Sequence, residues 1–396
     1  MNKSAVALYI AVALVIVFLG SLIPNPSGNI WYSQYLNLLV MIFIGFGLVL
    51  WNYNKLLSGI SFYLIFSVFI VSNCSPRSVF NLFLFDIGLT ISYIISRLDS
   101  KLRKRILYSL GIIVFLQTAM VFLQFLKLDP VFKPVNMSTP DYFRWVGFMG
   151  SAGQSSALIS ILLLPVSFIS IWFSILSIFV LLMSKSTVAF LGATIASFLM
   201  IISSGKRNLI IASILCMAIF TGVFLLKVDK INSFEGKHTL LARIDVWKYA
   251  IKNTLSGKVQ IEIKDTKKEV RCNRWFGYGF GNWMSIFPYI PSQGNFNWKY
   301  EKFTHAHNDF IEWFFETGIV GGLLLLLLLG KFFIDFFLSR KSTELWYYFC
   351  GMIAYFINAS GNFVSQLSLL AIIGCVIYGL YEGTRRELNG KNSSLA

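Results

Sequence analysis

Charge is scarce in this 396-residue sequence. Asp, Glu, Lys and Arg make up 13% of it, about half the share expected of a water-soluble domain. Histidine is scarcer, with three in the chain: His238, His305 and His307. The five cysteines (Cys74, Cys216, Cys272, Cys350 and Cys375) lack the spacing of a metal site. Most stand in apolar stretches, where packing is their expected role. There is no internal repeat and no low-complexity tract beyond the polar tail after Glu387. No nucleic-acid-binding motif is present either, so nucleic acid is not an expected partner.

What the chain has is apolar material, 56% of its residues. It comes in blocks of about 17–25, the length that spans a bilayer as helix. The expected fold is therefore all-α: a polytopic helical membrane protein of about twelve spans. They fall near 5–23, 33–51, 56–72, 78–96, 104–126, 151–164, 166–183, 186–203, 208–226, 310–338, 343–360 and 364–381. The first resembles a signal peptide but has no clear small-residue cleavage site and is read as a retained helix. The run 154–183 is too long for one span and is divided at Pro165.

Twelve spans put both termini on one side. Short loops on that side carry fifteen Lys+Arg, against five (Arg77, Lys127, Lys133, Arg144 and Lys185) on the other. By the positive-inside rule the termini are cytoplasmic. The chain divides into N-terminal helices (1–126), central helices (127–226) with an outer loop at 127–150, an outward loop at 227–306, and C-terminal helices with a cytoplasmic tail (307–396). The loop 227–306 holds fourteen Lys+Arg and seven Asp+Glu. Such a basic surface suits an anionic ligand or lipid head groups, or is simply solvated.

Within that loop, residues 239–251 set Leu240, Ile244, Trp247 and Ile251 on one helical stripe, an amphipathic helix suited to the membrane surface. Val259–Ile263 and Glu269–Cys272 flank K-D-T-K-K as a small hairpin. In F-G-Y-G-F-G-N-W, Gly277, Gly279 and Gly281 do not have dinucleotide-fingerprint spacing. They point to tight backbone beside a ligand or a helix.

Residues 304–322 read T-H-A-H-N-D-F-I-E-W-F-F-E-T-G-I-V-G-G before a run of leucines. Imidazoles at a membrane boundary can exchange protons near neutral pH, or serve only as interfacial residues. His305 and His307 with Asp309 and Glu312 are also weak metal-ligand candidates, without a third His. On a continuous helix His307 and Gly318 share a face; Gly318 and Gly321 then admit a neighbouring helix or a lipid tail, or merely pack. Asp86 lies inside a span and needs a partner or cavity. Gln117, Gln124, Asn358, Asn362 and Gln366 add polarity in or near spans. In a carrier they would line a substrate path, but the matched broken helices of a transporter are not evident.

His307-Asn308, nine residues, then Gly318-Ile-Val-Gly321 resembles the H-[N/S/Q]-x9-G-x-x-[G/T/Y] pattern of the bacterial O-antigen ligase and surface-polysaccharide polymerase superfamily. F-R-W-V-G-F-M-G-S-A-G-Q (143–154) is similar to its R-x-x-G-x-x-x-N-P-N segment, with S-A-G and Gln154 where N-P-N is usual. Ser184-Lys185-Ser186, A-R-I-D-V-W (242–247) and W-F-G-Y-G-F-G-N-W resemble further family elements. The segment 255–274 looks like an insertion. The resemblance covers residues about 143–330 in family order.

That resemblance implies a membrane-embedded glycosyltransferase of the GT-C type in the bacterial inner membrane, with its site on the periplasmic side. The donor is a glycan on undecaprenyl diphosphate. The acceptor is lipid A-core for a ligase or a second lipid-linked glycan for a polymerase. No metal or other cofactor is implied. His307 would serve as base with a near-neutral pKa, and Arg144, Arg243 and Lys185 would hold the diphosphate. His305, Asn308, Gln154, Trp247, Gly318 and Gly321 would support them. The chemistry suits these residue types: an arginine fork binds phosphate oxygens in pairs, and an imidazole can take the acceptor proton. Arg144 as an interfacial anchor, and Arg243 paired with Asp245 or lipid phosphate, are the alternatives.

Overall fold

A computed structural model describes residues 54–71, 76–126, 128, 147–149, 152–184, 186–204, 234–263, 266–290, 305–339, 342–362, 364–366 and 368–390. The spans expected near 5–23, 33–51 and 208–226 lie outside these residues, as do Arg144 and Lys185.

The chain enters α1 (Lys55–Phe66), capped by Asn54, whose side chain accepts from Leu56 N, and continues through a π-turn at Ser67–Val71. Next come α2 (Pro76–Ser96) and α3 (Ser100–Phe125), the latter capped by Asp99. A short 3-10 turn (Gly147–Met149) leads to α4 (Ala152–Ser167), α5 (Ile171–Ser184) and α6 (Thr187–Ser204). The loop region holds α7 (Phe234–Ser256), strands β1 (Lys258–Ile263) and β2 (Thr266–Arg271), and α8 (Trp283–Ile286). The C-terminal part is α9 (Asp309–Leu338), α10 (Thr343–Gly361), a 3-10 turn (Val364–Gln366) and α11 (Ser368–Gly390).

Three helical stretches among the described residues are long and apolar enough to cross a membrane: Arg77–Ser96, Ser100–Phe125 and Asp309–Leu338. On α9 the residues Leu326, Leu327, Phe337 and Leu338 remain exposed. Exposed apolar surface on helices of this length fits a lipid surround.

The run 154–183 forms two helices, as expected, but Pro165 is not the break. It lies inside α4, and the chain turns at 168–170 instead. The proline ring is accommodated by Gly351 on α10, where an added Cβ would stand 2.5 Å from Pro165 Cγ. A second correction concerns α7. The expected stripe ends in Ile251, which is exposed, while Ala242, Val246 and Ala250 form the buried face. This helix docks on protein through small residues. Together with β1, Tyr278, Trp283, Phe287 and Phe315 it builds a core separate from the main one among α2–α6 and α9–α11.

The hairpin forms, antiparallel, with Lys258 opposite Arg271 and Ile263 opposite Thr266, but its second strand begins earlier than expected: Thr266, Lys267 and Lys268 pair with β1 rather than belonging to the connection. The polar residues inside spans tie helices together. Asp86 accepts from Ser61 Oγ at 2.6 Å, Gln117 contacts Ser155 and accepts from Phe148 N at 3.0 Å, and Asn358 donates to Ser160 Oγ at 3.2 Å. Charges sort to the two ends of α9. Lys331 and Asp335 pair near its C-terminus at 2.8 Å, where Arg385 also approaches Asp335. The histidines stand at its N-terminus.

Candidate active site

The site is built at the mouth of α9. Asn308 caps the helix: its side-chain oxygen accepts from Phe310 N at 3.1 Å and Ile311 N at 3.2 Å. His307, just before the cap, has φ +53°, the left-handed region. A non-glycine residue there is held by its surroundings. Ala306 supplies the hold, because both its backbone groups are taken by side chains. Glu312 Oε2 accepts from its N–H at 2.9 Å, and Trp247 Nε1 donates to its carbonyl at 2.8 Å.

His305 is gripped from two sides. Its Nδ1 lies 3.1 Å from Glu312 Oε1, and its Nε2 lies 3.4 Å from Arg77 Nη2. This competes with the H-x-H metal reading, because both ring nitrogens are already engaged. Arg243, from α7, donates through Nη1 to the Gly361 carbonyl at the end of α10, at 3.3 Å. Burial pulls its guanidinium below the usual range.

Both imidazoles are held neutral. Burial pushes His307 down to about 4, helped by the Arg243 charge and by His305. Burial and then Arg77 push His305 down to about 4 as well. The near-neutral value expected for His307 is therefore corrected. A partly buried imidazole beside a guanidinium resists protonation more than one at an open membrane boundary.

α9 is not continuous. Gly318 has φ +67° and ψ −161°, which breaks the ladder one helical length below the histidines. The shared face expected for His307 and Gly318 is thus overturned: His307 precedes the helix and Gly318 interrupts it. The glycine-rich stretch repairs the break by backbone pairing. Tyr278 N donates to Phe315 O at 3.2 Å and Gly279 N to Glu316 O at 2.8 Å, while Ile319 N and Val320 N donate to Arg274 O and Trp275 O at 3.1 and 3.0 Å. Such close approach needs glycine on both sides. A Cβ on Gly277 would meet the Glu316 carbonyl carbon at 2.6 Å, and one on Gly318 would meet Gly277 N at 2.5 Å. A Cβ on Gly321 would collide with the Thr317 side chain.

The acids of the first turns receive backbone amides from three directions. Asp309 Oδ2 accepts from Ser365 N at 2.7 Å and Glu316 Oε1 from Trp283 N at 2.9 Å, while Glu312 holds the His turn. Beside them opens a mostly apolar cavity of about 230 Å³, lined by Asp309, Trp313, Glu316, Phe85, Leu328 and Tyr355 among others.

Of the site residues expected from sequence, His305, His307, Asn308, Arg243 and Trp247 converge here, with Gly318 and Gly321 just below. Gln154 is half-buried in the first turn of α4. Among the described residues no hydrogen bond joins it to the histidines. Arg77 and Glu316 are site residues that the sequence reading does not single out, and it offers Glu312 only as a weak metal-ligand candidate. Their signal was ionisable side chains at the mouths of apolar helices, where burial demands a partner.

These features define a helical membrane protein with a partly buried His–Arg site at the mouth of a broken helix. Residues 172–326 match the family model described as O-antigen ligase. The chain is also 23% identical over 381 residues to the "ComP-specific O-oligosaccharyltransferase" of Acinetobacter baylyi, covering 87% of this chain and 66% of that protein. The chain thus spans a little under two thirds of that relative's length. Both findings support the O-antigen ligase-like superfamily for this chain. The family match includes Arg243, both site histidines and the two motif glycines.

Proposed function

We propose that this protein is an inner-membrane glycosyltransferase that moves a glycan from undecaprenyl diphosphate to an acceptor hydroxyl, as an O-antigen ligase acting on lipid A-core. The observation that carries this reading is His307: a neutral imidazole, set by a constrained turn beside the Arg243 guanidinium, above a cavity suited to an isoprenoid tail.

In this mechanism Arg243, with Arg144 and Lys185, holds the diphosphate and offsets its charge as it leaves. His307 takes the acceptor proton as the hydroxyl oxygen bonds to the anomeric carbon and the anomeric C–O bond to the diphosphate breaks. A diphosphate is a good leaving group once its charge is matched, so the step needs neither a metal nor another cofactor. About twelve spans with cytoplasmic termini place loop 227–306 in the periplasm. Alkaline phosphatase fused after Lys268 is then active, whereas activity of only a cytoplasmic reporter there would overturn the topology.

The acceptor admits two further readings within the same chemistry. A polymerase would use a second lipid-linked glycan. The relative's name favours a protein hydroxyl. The test is a deletion strain profiled for lipopolysaccharide, lipid-linked intermediates and glycosylated protein. Long chains left on the carrier, with bare lipid A-core, support the ligase. Single repeats on the core indicate the polymerase, and loss from protein alone indicates the protein acceptor. Glycan retained on the inner leaflet would point to a transporter and refute the enzyme. Restoring the strain with His307→Ala should give transfer about 10²–10⁴-fold slower, the usual cost of losing a general base.

A further inference from the structure

We infer that Arg77, His305 and Glu312 form a positioning relay that fixes the 305–307 turn and aims the His307 imidazole, with His305 itself taking no part in proton transfer. The inference rests on the reading of His307 as the base.

The argument is one of donors and acceptors. A guanidinium has N–H donors and no acceptor. With Arg77 Nη2 at 3.4 Å from His305 Nε2, that nitrogen must accept, so the ring proton is on Nδ1. Nδ1–H then donates to Glu312 Oε1 at 3.1 Å. Glu312 uses its other oxygen for the Ala306 amide at 2.9 Å. The two oxygens of one side chain therefore fix both the ring of His305 and the backbone of the next residue. The geometry that results is the left-handed φ of His307, +53°. Such a conformation persists only where neighbours over-determine it. His305 has no ring nitrogen left for substrate, since Arg77 and Glu312 occupy both. The relay also crosses the fold: Arg77 opens α2, Glu312 stands in α9, and His305 lies in the chain between α8 and α9. Groups that act through a functional histidine orient it and fix its tautomer.

The inference separates His305 from His307 in a way that substitution can read. A glutamine amide carries an NH2 that donates and a carbonyl oxygen that accepts, so it can replace the neutral ring between Arg77 and Glu312. His305→Gln should keep the transfer rate within about tenfold of wild type, well short of the loss of an acid–base group. His305→Ala and Glu312→Gln should lower kcat by on the order of 10–100-fold, the scale seen for partners that orient metal-bound histidines, with KM little changed. If His305→Gln is as inactive as His307→Ala, or Glu312→Gln is fully active, the relay is wrong.

A second readout needs no activity and no folded Glu312 variant. Histidine-15N-labelled wild-type protein in bilayers should show His305 as the Nδ1–H tautomer, with the three ring signals assigned through His238→Gln and His305→Gln. An Nε2–H tautomer would overturn the relay. A correct tautomer in a wild-type protein that transfers no glycan from a polyprenyl-diphosphate donor would instead sink the functional reading and leave the relay standing.

Discussion

Trp247 and Ala306, separated by 59 residues, are joined by a 2.8 Å hydrogen bond from the indole Nε1 to the carbonyl oxygen. This contact fastens α7, and with it Arg243, to the turn that carries the histidines. It explains why a tryptophan follows the arginine by one helical turn: Arg243 faces the site and Trp247 locks the helix that presents it.

Trp247→Phe should retain most of the ring packing but leave the Ala306 carbonyl without its donor. An unsatisfied buried acceptor costs about 1–3 kcal/mol. Unfolding in detergent should therefore start at lower temperature, and glycan transfer should slow. Wild-type values for both would show that the contact does not hold the site.

Arg243→Lys should reduce transfer by about 10–100-fold, the cost of losing a charge-assisted hydrogen bond of roughly 1.5–3 kcal/mol. An ammonium cannot reach the Gly361 carbonyl and a phosphate with the same fork. Arg144→Lys should behave alike if both arginines hold one diphosphate. A transfer assay with wild-type kinetics for either variant would remove that residue from donor binding.

Gly318→Ala should prevent accumulation of folded protein. The residue sits at φ +67°, and its new methyl would fall 2.5 Å from Gly277 N and 2.7 Å from Arg274 O. Gly330, in the same helix, has nothing within 4 Å of an added Cβ. There alanine should be neutral or stabilise by up to about 1 kcal/mol, the intrinsic helix preference over glycine. Expression level and monodispersity of the two variants make the comparison. A well-folded Gly318→Ala would mean that the break in α9 is dispensable.

Acid should destabilise the protein through both site histidines. Their folded values lie near 4, below the ordinary 6.5 of the unfolded chain. Between those values the unfolded state binds more protons, so stability rises with pH across that window. This contribution is complete above about 6.5 and is lost as pH falls toward 4. The guanidinium groups of Arg77 and Arg243 add to burial in opposing protonation. Thermal unfolding in detergent from pH 4 to 7.5 should show this slope. Replacing both histidines with glutamine should flatten it relative to wild type, even though carboxylates also titrate there. An unchanged slope would show that neither ring is held neutral.

The sequence by itself determined the helical membrane class. Unbroken apolar runs of span length leave the backbone no other way to satisfy its hydrogen bonds in lipid. It also determined that a hairpin follows α7, through the two short stretches that flank K-D-T-K-K, whereas the cap made by Asn308 came from the structure. The sequence singled out His307 and Arg243 by scarcity of charge and by motif. Local pattern could not reveal that Gly318 breaks α9, because a glycine inside an apolar run reads as helix. The break exists only because residues 274–279 come back to pair with the carbonyls and amides it frees. Nor could pattern select the buried face of α7, where Ala242, Val246 and Ala250 win over larger side chains by fitting closely against protein. Tertiary structure alone brought Arg77 to His305 across 228 positions. It also turned Glu312 from a possible metal ligand into the group that holds the histidine turn. Distance in sequence hides such pairs, because burial sets the demand for a partner but the fold chooses which one arrives.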